Sequence, residues 1–160
     1  LGNRGNWQSL TDIALAKTPI CAVEIDSTIS GSTVSVSVLA GFRSAPGIEV
    51  ALTVYVVEDG VTGYPQANYY NDTAWSDSYQ LGDPIVDYVH DQVVREVLSD
   101  PEGDSISDGE IAKGVLYGKD YTYQIPSDQV ASNLSIIAFI HGIGLEDGGR
   151  EILNVQQEPA

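Results

Sequence analysis

The strongest constraint on this chain is the two-residue alternation in Val50–Val57. Val50, Leu52, Val54 and Val56 share one face, and Ala51, Thr53 and Tyr55 share the other. A period of two is that of a strand with one face on a core. Glu58-Asp59-Gly60 then turns the chain. Thr33–Leu39 repeats the pattern more cleanly, with Val34, Val36 and Val38 inward and Thr33, Ser35 and Ser37 outward. Cys21, Val23 and Ile25 alternate with Ala22 and Glu24, and Ser30-Gly31-Ser32 is the expected turn between these two runs.

Further strands follow from the same argument. Leu134–Ile140 is apolar on both faces, which predicts a central strand. Tyr121, Tyr123 and Ile125 alternate with Thr122 and Gln124, and Pro126 ends that run. Ile111–Tyr117 reads as a short strand broken by Gly114, and Glu151–Gln156 as the last strand, after which Gln157–Ala160 trails off. Ile85–Leu98 fits either a helix or a strand, and its five valines with Tyr88 favour a strand. Ahead of all these, Trp7–Lys17 carries Trp7, Leu10, Ala14 and Leu15 near one side, and Thr18-Pro19 stops it, as a short helix requires. The expectation is an all-β fold: a two-sheet antiparallel β-sandwich, immunoglobulin-like or jelly-roll, with one short N-terminal helix. Residues 1–18 form a helix and linker, and residues 19–160 the sandwich domain.

A chain of 160 residues is long enough to bury roughly 68–70% of its unfolded surface in one domain. Seven Lys+Arg against 23 Asp+Glu give a formal charge of −16. Such a surface repels a phosphate backbone and an anionic membrane alike, so nucleic acid is excluded as a partner. No apolar run reaches the roughly 18 residues of a spanning helix. The chain begins at Leu1 without a charged-then-apolar leader, and reads as an excised domain or processed fragment. Cys21 is the only cysteine, so no intrachain disulfide forms; within Ile20–Ile25 it reads as a buried small hydrophobe.

Four groups of residues are candidates for function. Thr62–Pro84 has no periodicity and carries Tyr64, Tyr69, Tyr70, Trp75 and Tyr79 among Asn68, Asn71, Asp72 and Asp77. Long aperiodic loops in compact domains are commonly functional, and rings beside amides and carboxylates suit a glycan or protein ligand. The bland alternative is a loop pinned onto the sandwich by its own rings. Asp100, Glu102, Asp104, Asp108 and Glu110 supply five carboxylates in eleven residues, a candidate calcium set, although the spacing is not that of an EF-hand. His90 and His141 are the only histidines and cannot close a zinc site without carboxylates. Glu58 and Asp59 are adjacent, so on a strand they point apart and cannot flank one bond. With no phosphate loop and no G-x-S-x-G, the chain is not expected to be an enzyme and no cofactor is expected beyond that calcium.

The strings VVEDGVTGYPQ, DYVHDQVVRE, GDSIS, NLSIIAFI and EILNVQQ, in this order and spacing, resemble the outer membrane protein 28-related family of Bacteroidetes. The resemblance covers about Val50 to Gln157. Its best motif is Tyr88-Val89-His90 followed by Val93 and Arg95; where the family usually has a second histidine, this chain has Gln92. The resemblance implies an exported, outer-membrane-associated envelope protein, in many members a lipoprotein or surface antigen, on the periplasmic side or the cell surface. It implies no enzymatic activity. It also implies that Trp7–Lys17 is the tail of an upstream thioredoxin-like domain of the same chain, for which this domain would be a structural partner. For such an exported protein, Asp26-Ser27-Thr28, Asp72-Thr73-Ala74 and Asp104-Ser105-Ile106 match a glycosylation pattern, with Ser27, Thr73 and Ser105 as acceptors in expected loops or strand ends.

Overall fold

The computed structural model describes residues 4–72, 74, 76–144 and 150–160. The helix α1 (Trp7–Leu15) is followed by eight strands: β1 (Cys21–Ser30), β2 (Thr33–Phe42), β3 (Val50–Glu58), β4 (Val93–Val97), β5 (Asp104–Ile106), β6 (Leu116–Gln124), β7 (Leu134–Gly142) and β8 (Ile152–Pro159). They form two antiparallel sheets. One has the order β1-β2-β6; in the other, of order β4-β3-β7-β8, β5 also pairs with β3. The expected β-sandwich is what the chain builds.

The β1–β2 hairpin closes through Gly31-Ser32, with Ser30 opposite Thr33. Gly31 sits at φ 63°, where a side chain would be strained. The inner faces interleave as the alternation requires. Val34, Val36, Val38, Ala40 and Phe42 of β2 meet Val50, Leu52, Val54 and Val56 of β3 and Leu134, Ile136, Ala138 and Ile140 of β7. Cys21 is buried among them, and burial pushes its thiol up to about 11, so it is an inert core side chain.

Five expectations need correction. β3 does not face the core with one side only: Ala51, Thr53 and Val57 are buried as well. The strand is central, with β7 on one edge and β4 and β5 sharing the other, and Gly103 closes over its outer face. Within Ile85–Leu98 only Val93–Val97 is a strand, because Gln92 turns the chain at φ 56°. Of the two runs expected in Ile111–Ile125, residues 111–115 are turn, and the strand β6 starts only at Leu116 and runs without a break through Gln124. The end does not trail off: β8 runs to Pro159, and the amide of Ala160 donates to the Leu134 carbonyl. Finally α1 stops at Leu15, and none of its residues is buried; Trp7, Leu10, Ile13 and Leu15 are all exposed. No helix among the described residues is long and apolar enough to cross a membrane.

The sheets are clasped at one edge by charge. Asp104 of β5 takes the Lys119 ammonium at 2.7 Å and the Tyr121 hydroxyl, both from β6 of the opposite sheet. Burial by itself raises the Asp104 pKa, but hydrogen bonds from Lys119, Tyr121 and the Asp100 amide outweigh it and hold the carboxyl below the ordinary aspartate value.

Candidate functional site

Between β3 and β4 the chain makes an arm with two antiparallel legs and no regular strand. At its base Val61 and His90 exchange both backbone hydrogen bonds, at 2.8 and 2.9 Å. Farther out Gln66 and Ile85 do the same. Beyond that the legs are held by side-chain amides. Asn68, only 5% exposed, donates from Nδ2 to the carbonyls of Ser78 (2.7 Å) and Gly82 (2.8 Å), and its Oδ1 accepts from the Tyr70 amide. The Asn68 amide donates to Asp83 Oδ1, and Asn71 Oδ1 accepts from the Gly82 amide. A short polar side chain is what this geometry needs, since it replaces backbone partners that an irregular turn cannot offer itself.

The consequence is that the rings are left outside. Tyr69 is 86% exposed, Tyr64 and Tyr70 are 62% exposed, and Tyr79 is partly exposed. Trp75 lies outside the described residues. Among the described residues the tyrosine rings do not pin the arm to the sandwich; hydrogen bonds of Asn68 and Asn71 hold its turns.

The structure brings the motif Tyr88, His90 and Arg95 to the base of the same arm. The His90 ring packs edge-on against Tyr88, centroids 4.7 Å apart, and its Nε2 lies 2.8 Å from the Tyr64 carbonyl. A carbonyl only accepts, so Nε2 carries the proton and is committed to the arm. Val61, Tyr64, His90, Val93 and Arg95 line a shallow apolar hollow of about 240 Å³. Arg95 pairs with Glu58 at 3.2 Å and with Asp128 at 3.0 Å, and Glu58 also accepts from the Val130 amide. This nearly buried arginine ties β4 to β3 and to the turn before β7.

The five carboxylates of 100–110 are not brought together. Asp104 is committed to Lys119 and Tyr121, and Glu110 accepts from the amide and hydroxyl of Ser107. Among the described residues no three histidine, cysteine or acidic side chains converge. Ser27 lies within β1, not at a strand end, and donates to the Pro159 carbonyl. Ser105 is exposed in β5, and Thr73 lies outside the described residues.

Sequence reasoning missed one pairing. His141 Nε2 lies 2.9 Å from Thr53 Oγ1, and its Nδ1 lies 2.9 Å from the Gly142 carbonyl. The carbonyl requires Nδ1–H, so Nε2 accepts from the threonine hydroxyl. Gly103 closes over both: a Cβ there would stand 2.9 Å from each of those two atoms. The available signal was His141 on the same strand face as Phe139, seven residues past Leu134, but its partner lies 88 residues away.

The family model for outer membrane protein Omp28 matches residues 2–160. Among solved structures, HBP35 of Porphyromonas gingivalis is similar in fold, with a TM-score of 0.65 at 17% identity; the match covers 95% of this chain and 44% of that one. No curated protein matches the sequence.

Proposed function

The chain belongs to the outer membrane protein Omp28 family, and from that premise we propose that it is a non-catalytic binding or adhesion module of an envelope-associated protein. The arm is its contact surface, and the ligand is a glycan or a protein. The observation that carries this reading is the inversion within the arm, where buried asparagine holds the turns and tyrosine is displayed. Rings with apolar faces and a polar tip contribute large contact area at little entropic cost when already held in place.

The test is a titration of the protein with a panel of glycans and peptides, followed by its own fluorescence. A saturable change that is lost in Tyr69→Ala/Tyr70→Ala is expected. Saturation unaffected by that double substitution would remove the arm from the reading.

A second reading, a structural partner of an upstream thioredoxin-like domain, draws support from α1, on which Leu10, Ile13 and Leu15 are exposed. The structural neighbour, more than twice as long as its matched part, is consistent with further domains.

A further inference from the structure

The arm's chemistry is more selective than a generic sticky loop. Asn68 Nδ2, Asn68 Oδ1 and Asn71 Oδ1 hold the turns, so these groups are not free to read sugar hydroxyls. Asp83 is likewise engaged with the Asn68 amide. Outward on the arm lie its tyrosines and several exposed carboxylates, of which Asp77 and Asp87 pair with no cation among the described residues. No Lys or Arg occurs between Arg43 and Arg95, and Arg95 is taken by Glu58 and Asp128.

We propose that the arm docks a cationic protein segment, seating lysine or arginine side chains over its tyrosine faces with Asp77 and Asp87 beside them. This deepens the binding reading above and rests on it. The negative face of a tyrosine ring attracts a cation, and nearby carboxylates without an internal partner add to that field. An acidic partner would meet the same field as repulsion, on a chain that already carries −16.

The experiment measures anisotropy of a labelled lysine/arginine-rich peptide, its glutamate-substituted counterpart and labelled neutral oligosaccharides, at low and physiological salt. Tyr69→Ala/Tyr70→Ala/Tyr79→Ala removes rings without changing charge. Asp77→Asn/Asp87→Asn removes two charges from the arm, and Glu24→Gln/Asp120→Asn removes two from the remote sheet. Circular dichroism verifies that each variant is folded. The basic peptide is expected to bind saturably, and to weaken about tenfold on loss of the three rings. The Asp77/Asp87 variant should weaken binding and flatten its salt dependence, and the Glu24/Asp120 variant should do neither. Equal binding by the ring variant, or equal loss in the Glu24/Asp120 variant, would reduce the effect to net charge and overturn the proposal. Saturation by an oligosaccharide that needs the rings, without binding of the basic peptide, would overturn the cationic class and leave the arm as the contact surface. If no probe binds, both readings fall.

Discussion

β3 and the arm that leaves it are adjacent in sequence and opposite in construction. β3 is stabilised by apolar burial on both faces, with Leu52, Val54 and Val56 fully enclosed and a ladder on each edge. Among its described residues the arm buries almost no apolar side chain, and it is held by amide hydrogen bonds centred on Asn68. Burial is non-directional and scales with area, so it fixes a sheet against a sheet. Hydrogen bonds are directional and modest in net strength, so they can hold a small irregular turn while leaving its rings to solvent. The rigid part of the molecule and the displayed part are thus made by different forces.

The largest expected effect lies in the core. Leu52→Ala removes a fully buried side chain and should cost about 2–5 kcal/mol, read as a fall in the urea midpoint of global unfolding. A loss under about 1 kcal/mol would mean that the sheets close readily over the cavity.

The clasp between the sheets comes next. Asp104→Ala leaves the Tyr121 hydroxyl without its acceptor and should cost about 1–3 kcal/mol near neutral pH. The folded pKa of Asp104 lies below its unfolded value. Its contribution is therefore present above the unfolded pKa and lost as pH falls through the folded one. Lys119 is raised, chiefly by its bond to Asp104, so the contribution also fades as pH rises through the folded lysine value. Denaturation curves of wild type and Asp104→Ala should converge at both extremes, and a constant gap across pH would contradict the clasp.

The smallest global effect belongs to the arm. Asn68→Ala should shift the global midpoint by less than about 0.5 kcal/mol, since the arm opens separately from the core. Amide exchange should nevertheless accelerate at Tyr70, whose amide donates to Asn68 Oδ1. A large global loss would show that arm and sandwich unfold as one unit.

Strands whose burial differs between faces were legible residue by residue. The valines of β2, the hairpin at Gly31 and the central position of β7 all follow from local pattern. The sequence read less of β3, because alternation reports only that one face is apolar. Ala51 and Thr53 are small enough to suit either solvent or a covering glycine, and Gly103 supplies the cover from about fifty residues away. In Ile85–Leu98 the valines looked alike, but Val86 and Val89 ended exposed on the arm while Val93–Val97 found the edge of β3.

For the candidate site the tyrosines were visible as residue types and Asn68 was not, because one asparagine among several carries no local sign of burial. The alternation of apolar residues in many short runs, with a single short helix beside them, determined by itself that this chain is all-β, because the apolar faces then have only another sheet to cover them. Which polar side chains turn inward was decided by tertiary structure alone. Asn68 meets Ser78 and Gly82 only once the arm has folded, Thr53 meets His141 only when β3 pairs with β7, and Asp104 meets Lys119 only after the sheets are stacked. A hydrogen bond or ion pair depends on ångström-scale placement that no spacing along the chain encodes.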